Sequence, residues 1–403
     1  MDKTTETEFF RKNSLADFQT ELLAWYDACA RKLPWRDNPT PYRVWVSEIM
    51  LQQTTTTTVQ GYFDRFMAAF PNVQTLAEAQ EGQVLKLWEG LGYYRRARQL
   101  HKAAQTIVRD FNGLFPATVE TIQTLPGVGR YTAGAIASIA CGRKAPILEA
   151  NTIRLYSRLA AWPHSVHTSA SNQFLWSFAE RILPDNNAGL FNQALMDLGS
   201  QICRPNSPRC LDCPVSPFCV AFRNHQQDTL PVMPPREEKE PRTEVAMAVS
   251  LADWTGRAAD ANRYLFLRTP PSHRWAGLWD FPRFLKTNSN DIPNDRDLAR
   301  KVATLLEVSS CLVHAPQKKI SHVVTRFRIT LNFCRCTVQI SQRAKRLPKS
   351  EPRLMNNAAR MIHLAAGQGP ACDLEFRWLT PQEAKLLPLN STAIRLLALL
   401  DQP

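Results

Sequence analysis

What this 403-residue chain lacks narrows the work it can do. No apolar run approaches the roughly 20 residues of a membrane-spanning helix, so no contact with the bilayer is expected. The amino-terminal stretch MDKTTETEFFRKNSLADF mixes both charge signs and has no apolar signal-peptide core. With no targeting segment in view, a reducing, cytoplasmic setting is the default, nucleoid-associated if the source is a bacterium. The ten cysteines are then thiols or metal ligands rather than a disulfide framework. Acidic residues are in deficit: 36 Asp and Glu face 49 Lys and Arg, a net charge of +13. That imbalance favours nucleic acid as partner over a merely basic surface, because Lys and Arg neutralise phosphates. Before the middle of the chain there is also no convincing strand pattern, so the first half reads as all-helical. At this length two domains are expected, each able to bury its own core.

The most organised stretch runs from Thr121 to Arg158. It opens with Leu125-Pro126-Gly127-Val128-Gly129, continues into a small-residue helix over 131–140, and closes on Glu149 and Asn151. Glycines that let the backbone approach a phosphate, followed at once by a helix N-terminus, form an anion site. A carboxylate just beyond it is placed for chemistry on whatever carries the phosphate. Upstream, helices are expected over 14–30, from Thr40 with Pro41 at the first helical position, and over 59–70, near Thr75, 81–91 and 98–111. Glu48 is the one carboxylate between Asp37 and Asp64, set among Trp45, Ile49, Met50 and Leu51. It is either a solvated helix glutamate or a half-buried acid whose raised pKa suits proton donation near neutral pH. Gly90-Leu91-Gly92-Tyr93-Tyr94-Arg95-Arg96 either packs its rings or offers them for base stacking, with guanidinium groups for phosphates.

Cys203, Cys210, Cys213 and Cys219 follow a C-x6-C-x2-C-x5-C spacing. A tetrathiolate zinc site usually shows two C-x2-C pairs and this stretch has one, so a four-thiolate iron–sulfur cluster fits better. Residues 223–244 are Pro-rich, charged and poor in apolar residues, as an interdomain linker is. Beyond them the period changes to an α+β pattern. Strands are expected over 245–251, 264–267, 323–333 and 334–340, with helices over 295–306 and 392–400. Residues 341–371 look like an insertion, basic in its first half, that is either a mobile loop or a DNA contact.

Taken together, these segments resemble the helix–hairpin–helix DNA glycosylases, and specifically the MutY-type adenine DNA glycosylases. The resemblance rests on LPWR at 33–36, PYRVWVSEIMLQQT at 41–54, LWEGLGYYRRAR at 87–98, LPGVGRYTAGAI at 125–136, FNQALMDLG at 191–199 and the cysteine spacing. It is close over residues 20–222 and weaker beyond. It implies four parts: a polar tail (1–14), an all-α helix–hairpin–helix glycosylase domain with an Fe–S cluster loop (15–222), the linker (223–244) and an α+β Nudix-like C-terminal domain (245–403). It further implies a monomeric, monofunctional DNA glycosylase that flips adenine out of duplex DNA, from A:8-oxoguanine or A:G mispairs, and hydrolyses its N-glycosidic bond.

The resemblance gives Glu48 the part of general acid at adenine N7 and then of water activation. Tyr131 stands where lyase-active relatives carry a Schiff-base lysine, so that route is not expected. Glu149 and Asn151 fall at the second catalytic carboxylate and its neighbouring amide. Gln53, Thr54, Leu91 and Tyr93 match positions that fill or wedge the duplex around 8-oxoguanine, and Gly127, Gly129 and Arg130 those of the hairpin on the DNA backbone. Lys144 is a further candidate for a phosphate contact. The four cysteines match a [4Fe–4S] site. In the second half, WAGLWDFP at 275–282 carries the Nudix-like likeness, while 295–306 has no glutamate, so pyrophosphate hydrolysis is not expected. Ser321 and His322 match two of the three residues of the family's Phe-Ser-His lesion loop, with Ile320 in place of the aromatic. One departure matters more: the family's catalytic aspartate is Glu149 here, one methylene longer, and its Gly is Ala150. Two alternatives follow, a lesion-binding protein with weakened catalysis and a glycosylase with altered base choice on G mispairs.

Overall fold

Ser14 and Thr40 show how short-range chemistry starts the first helices. In this computed structural model, which describes residues 8–9, 14–235, 238–252, 263–270, 275–285, 298–300, 302–303, 310–339 and 375–400, the Ser14 hydroxyl accepts from Asp17 N to cap α1 (Leu15–Cys29). Thr40 does the same from Arg43 N for α2 (Pro41–Leu51), with Pro41 in the first turn. There follow α3 (Thr56–Ala69), α4 (Val73–Glu78), α5 (Glu81–Leu87), α6 (Arg95–Asp110), α7 (Val119–Gln123) and α8 (Arg130–Ile139). Next come α9 (Ala150–Leu159), α10 (Ser169–Ile182), α11 (Ala188–Gln201) and the short α12 (Val220–Arg223). Two 3-10 turns, Cys210–Asp212 and Ser216–Phe218, lie between the last two. The helical expectation for this half holds. One helix is shorter than its pattern predicts: α5 ends at Leu87 rather than 91, because Gly90, Gly92 and Tyr93 take positive φ angles that no right-handed helix admits.

The chain divides into two compact units. One comprises residues 1–79 and 96–236, the other 80–95 and 237–403. In the first, α1, α9, α10 and α11 enclose a core that includes Phe18, Leu22, Tyr156, Phe174, Phe178 and Phe191. Trp162 and Phe174 stack within it, centroids 3.9 Å apart. The first part of the expected linker belongs to this unit: Val166 N donates to Val232 O and the Arg158 guanidinium to Leu230 O at 2.9 Å. The tail expected over 1–14 falls mostly outside the described residues, although Phe9 is buried against Phe18.

The second unit is built on a mixed sheet in which β1 (Glu240–Ala252) pairs in parallel with β7 (Phe327–Gln339) along its whole length. β4 (Arg283–Leu285) flanks β1, while β5 (Ser310–Val313) and β6 (Lys318–Val324) share the other edge of β7, all antiparallel. A second, antiparallel sheet runs β3 (Trp279–Asp280), β2 (Tyr264–Arg268), β8 (Phe376–Leu379). α13 (Pro381–Ala384) and α14 (Ser391–Leu397) follow. Alternate residues of β1 point to opposite faces. Val245, Met247 and Val249 join a core with Leu298 and Val302, and Ala246 and Ala248 one with Leu396 and Leu397. Both faces are covered, which explains the nearly unbroken apolar run of β1.

Two strand assignments are corrected. The segments 323–333 and 334–340 are not consecutive strands: the chain turns at Thr325, φ 51°, between β6 and a single strand β7. A pattern of alternating burial cannot reveal that break, because it continues in phase across a two-residue turn. The helix expected over 295–306 and the insertion over 341–371 lie largely or wholly outside the described residues.

Candidate active site

Glu48 sits on a helix buried almost all round: Tyr42, Val44, Trp45, Val46, Ile49 and Met50 of α2 are all in the core. The glutamate is 5% exposed, which removes the solvated-face reading. Burial pushes its carboxyl up to about 7, and the nearby Glu149 charge adds to the rise. A hydrogen bond from Tyr131 and the more remote Arg36 guanidinium work the other way. The Tyr131 hydroxyl donates to Glu48 Oε2 at 2.5 Å. Burial, with the two carboxylates beside it, holds that hydroxyl well above its ordinary range, so it keeps its proton and serves as donor.

The hairpin that places Tyr131 is set by glycine. Gly127 has φ +77°, and a Cβ there would lie 2.6 Å from Gln99 Cβ, so no other residue fits. Gly129 caps α8 without a side chain, and a Cβ built on it meets nothing within 4 Å. The N-cap position of α8 is therefore open on the side a Gly129 side chain would occupy, which leaves room for an anion at the helix end. Beside it the Arg130 guanidinium lies 3.9 Å over the Trp176 ring. Lys144 is engaged by Asp185 at 2.7 Å.

Glu149 is the N-cap of α9. Its Oε1 accepts from Thr152 N at 3.1 Å and its Oε2 from Asn151 N at 2.9 Å and Asn151 Nδ2 at 3.2 Å. Burial raises its pKa, against the pull of those donors and of Arg154. The carboxylate folds back onto its own helix end. Asn151 is fixed in turn: its Oδ1 accepts from Arg154 at 3.0 Å, and Gly199 of α11 passes so close that a Cβ there would lie 2.8 Å from Asn151 Cβ. The structure thus joins Glu48 to Tyr131 and Glu149 to Asn151, with the two carboxylates within electrostatic reach.

Sequence reasoning missed the cations that organise this region. Arg36 donates to Asp197 at 2.9 and 3.0 Å across 161 residues, and Arg31 adds 2.9 and 2.5 Å contacts. Burial alone would raise Asp197, but hydrogen bonds from Arg36 and Arg31 hold it below the usual carboxylate range. Arg96 grips the carboxyl end of α2 through Ile49 O at 2.8 Å, Met50 O at 3.0 Å and Gln52 O. The signal was present only as motif membership: Arg36 lies in LPWR, Asp197 in FNQALMDLG and Arg96 in GLGYYRR. Gln53, next in line, takes φ +59°.

Around the cysteines, burial pushes Cys213 and Cys219 up to about 12, and each of the two feels the charge of Cys203 and Cys210. Among the described residues no three His, Cys, Asp or Glu side chains converge on a single-ion position. Donors are already aimed at sulfur: Arg158 Nη1 lies 3.2 Å from Cys203 Sγ, and backbone N–H groups serve Cys213 and Cys219. Four thiols, one buried and three half-buried, with N–H groups directed at three of them, suit thiolate ligation of a multi-iron cluster, whose positive charge offsets the cost of ionising them. Arg158 also donates to Arg204 O at 2.8 Å and Pro205 O at 3.2 Å, while Arg154 Nε donates to Cys203 O at 2.7 Å. One helix, α9, thereby carries Glu149 and Asn151 at one end and the ties to the cysteine loop along its length.

Thr54 accepts from Arg96 Nη2 at 3.4 Å, and the remaining candidates belong to the second unit. Leu91 is buried and Tyr93 is 56% exposed. Ser321 and His322 are not on a loop: they lie in β6, opposite Thr330 and Ile329 of β7. The loop expectation took its context from the family motif, whereas here the ladder with β7 claims both backbones.

Comparison with known proteins follows the same lines. Residues 46–181 match the family model described as HhH-GPD superfamily base excision DNA repair protein. The chain is similar to the adenine DNA glycosylase of Mus musculus, 41% identical over 232 residues, which cover 55% of this chain and 45% of that one. To the adenine DNA glycosylase of Buchnera aphidicola subsp. Schizaphis graminum it is 36% identical over 268 residues, 66% of this chain and 75% of the other. It spans less than two thirds of the mouse, rat and human relatives, 45%, 63% and 57% of their lengths. Among solved structures, a thermostable thymine-DNA glycosylase aligns at 29% identity and a TM-score of 0.47, over 52% of this chain and 97% of its own.

Proposed function

The chain belongs to the adenine DNA glycosylase family, and from that premise we propose that it excises adenine mispaired with 8-oxoguanine or guanine from double-stranded DNA in base-excision repair. One observation carries the reading: a buried glutamate, its pKa pushed up to about 7 by burial and its carboxylate hydrogen-bonded by a tyrosine, lies within electrostatic reach of a second carboxylate at a helix N-terminus. With the adenine flipped out of the stack, protonated Glu48 gives its proton to N7. The C1′–N9 bond then breaks, its electron pair going to the base, which leaves neutral. Positive charge left on the sugar is stabilised by the Glu149 carboxylate. Glu48, now ionised, takes a proton from the water that attacks C1′ and returns to its starting state. Tyr131 holds the Glu48 carboxyl in place, and with no lysine at that position the enzyme stops at base release.

Gln53, Thr54, Leu91 and Tyr93 fill and wedge the duplex, and the hairpin with Arg130 takes the DNA backbone. The second unit acts as a Nudix-like lesion reader through Ser321 and His322. Cys203, Cys210, Cys213 and Cys219 hold a [4Fe–4S] cluster that, when bound, supplies iron–thiolate ties fixing the 203–219 loop. The test is single-turnover adenine release from an A:8-oxoguanine duplex by wild type, Glu48→Gln and Glu149→Asp. Wild type is expected to release adenine, and Glu48→Gln to bind without releasing it. Binding without release by wild type, with release restored in Glu149→Asp, would instead make the protein a lesion-binding relative in which the longer carboxylate has ended catalysis.

A further inference from the structure

Residues 80–95 lie within the sequence of the helical half but pack in the C-terminal unit. Two side chains fasten this segment to the turn over 385–389, one on each side of a distorted loop. Lys86 Nζ donates to Lys385 O at 2.7 Å and to Leu387 O at 3.2 Å, while pairing with Glu89 at 2.6 Å. The Tyr94 hydroxyl donates to Leu389 O at 3.2 Å and accepts from Gly90 N at 3.3 Å. The turn is itself fixed, since Trp279 N donates to Pro388 O at 2.8 Å and Leu389 bridges to Trp279 of β3.

Between the two fastenings, Gly90, Gly92 and Tyr93 take φ angles of 100°, 71° and 47°. Glycine tolerates that region, whereas a tyrosine adopts it only where its surroundings hold it there. Trp88 Nε1 closes the loop internally on Gly92 O at 3.2 Å. The outcome is that Tyr94 is buried, at 5% exposure, and its neighbour Tyr93 is turned outward at 56%.

We propose that the 385–389 turn of the C-terminal unit, acting through Lys86 and Tyr94, is the positioning device that holds Tyr93 in its outward conformation for insertion at a mispair. Lys86 and Tyr94 are positioning residues, and the C-terminal unit sets mispair discrimination through the shape of this loop. The proposal rests on the reading of the protein as a mispair-acting glycosylase.

Full-length Tyr94→Phe, Lys86→Met and Lys86→Arg are compared with wild type, alone and in a Tyr93→Ala background. One readout is the ratio of single-turnover excision rates on A:8-oxoguanine and A:G duplexes. The other, independent of activity, is amide exchange over residues 88–94 against that over 125–158. Loss of one or two hydrogen bonds is expected to lower the ratio about ten-fold in Tyr94→Phe and Lys86→Met. It should also speed exchange over 88–94 by a similar factor while leaving 125–158 unchanged. Lys86→Arg should keep most of the ratio. In the Tyr93→Ala background the same changes should alter the ratio less than about two-fold, because a residue that acts through another has no effect once that other is gone. Unchanged exchange over 88–94, or an equal effect with and without Tyr93, overturns the proposal. Wild type that releases no adenine from either duplex overturns the glycosylase reading instead, and the exchange comparison still decides whether the turn holds the loop.

Discussion

Glu48 is a residue whose usefulness and cost have the same origin. Its carboxyl is raised from 4.5 to about 7, first by burial. Below pH 4.5 the folded and unfolded chains both carry the proton and the fold has its full stability. As pH rises through 7 the folded chain must ionise a buried group, and roughly 3 kcal/mol is lost. Glu48→Gln should therefore melt higher than wild type at pH 8, with the difference shrinking towards pH 5, in thermal unfolding followed by circular dichroism. Tyr131→Phe removes the hydrogen bond that restrains the rise, so the alkaline limb of the excision pH–rate profile should move to higher pH. The residue types at 48 and 131 were legible as motif letters. Their contact across 83 residues was not, since a hydrogen bond between distant helices leaves no local pattern.

Among the elements, the hairpin and α9 show where sequence reading succeeds and where it stops. Turn chemistry is local, so Leu125 to Gly129 could be read directly, and φ +77° at Gly127 agrees with it. Gly127→Ala should cost about 1–3 kcal/mol in denaturant unfolding, because it combines a disfavoured backbone with a clash against Gln99. Close approach of two helices is not local, and nothing in FNQALMDLG announces that Gly199 must leave room for Asn151. Gly199→Ala should lower the single-turnover rate by about 10²-fold while DNA binding is retained, measured by gel shift, because it displaces Asn151 and with it Glu149. Ser321 and His322 teach the converse: a motif can be recognised while its element is misjudged, since strand pairing with β7 is decided by residues beyond the motif.

For the whole molecule, net charge +13 favours a polyanionic partner but does not say which cations are free to meet it. Arg31, Arg36, Arg154 and Arg158 are spent on internal carboxylates, carbonyls and sulfur. Arg130 stacks on Trp176 beside the open end of α8. Arg130→Ala should weaken binding to matched and mismatched duplexes alike and reduce the slope of log K against log salt by about 1, checked by anisotropy titration over a range of salt. The division into helical and mixed halves followed from periodicity alone. That residues 80–95 pack with the second unit did not, because the contacts that place them span about 300 positions, 301 from Lys86 to Leu387 and 295 from Tyr94 to Leu389.

That separation orders events on the ribosome. At about 5–20 residues per second, some 15–60 s pass between the emergence of Tyr94 and that of Leu389. β1 waits in the same way for β7, its parallel neighbour along its whole length, and such non-local pairing is slow to form. The helices around the Glu48–Tyr131 pair can assemble early in synthesis, whereas the loop bearing Tyr93 receives its last constraint only after Leu389 has been made. The nascent chain thus brings Glu48 to Tyr131 before it can fix the shape of the loop at 90–94.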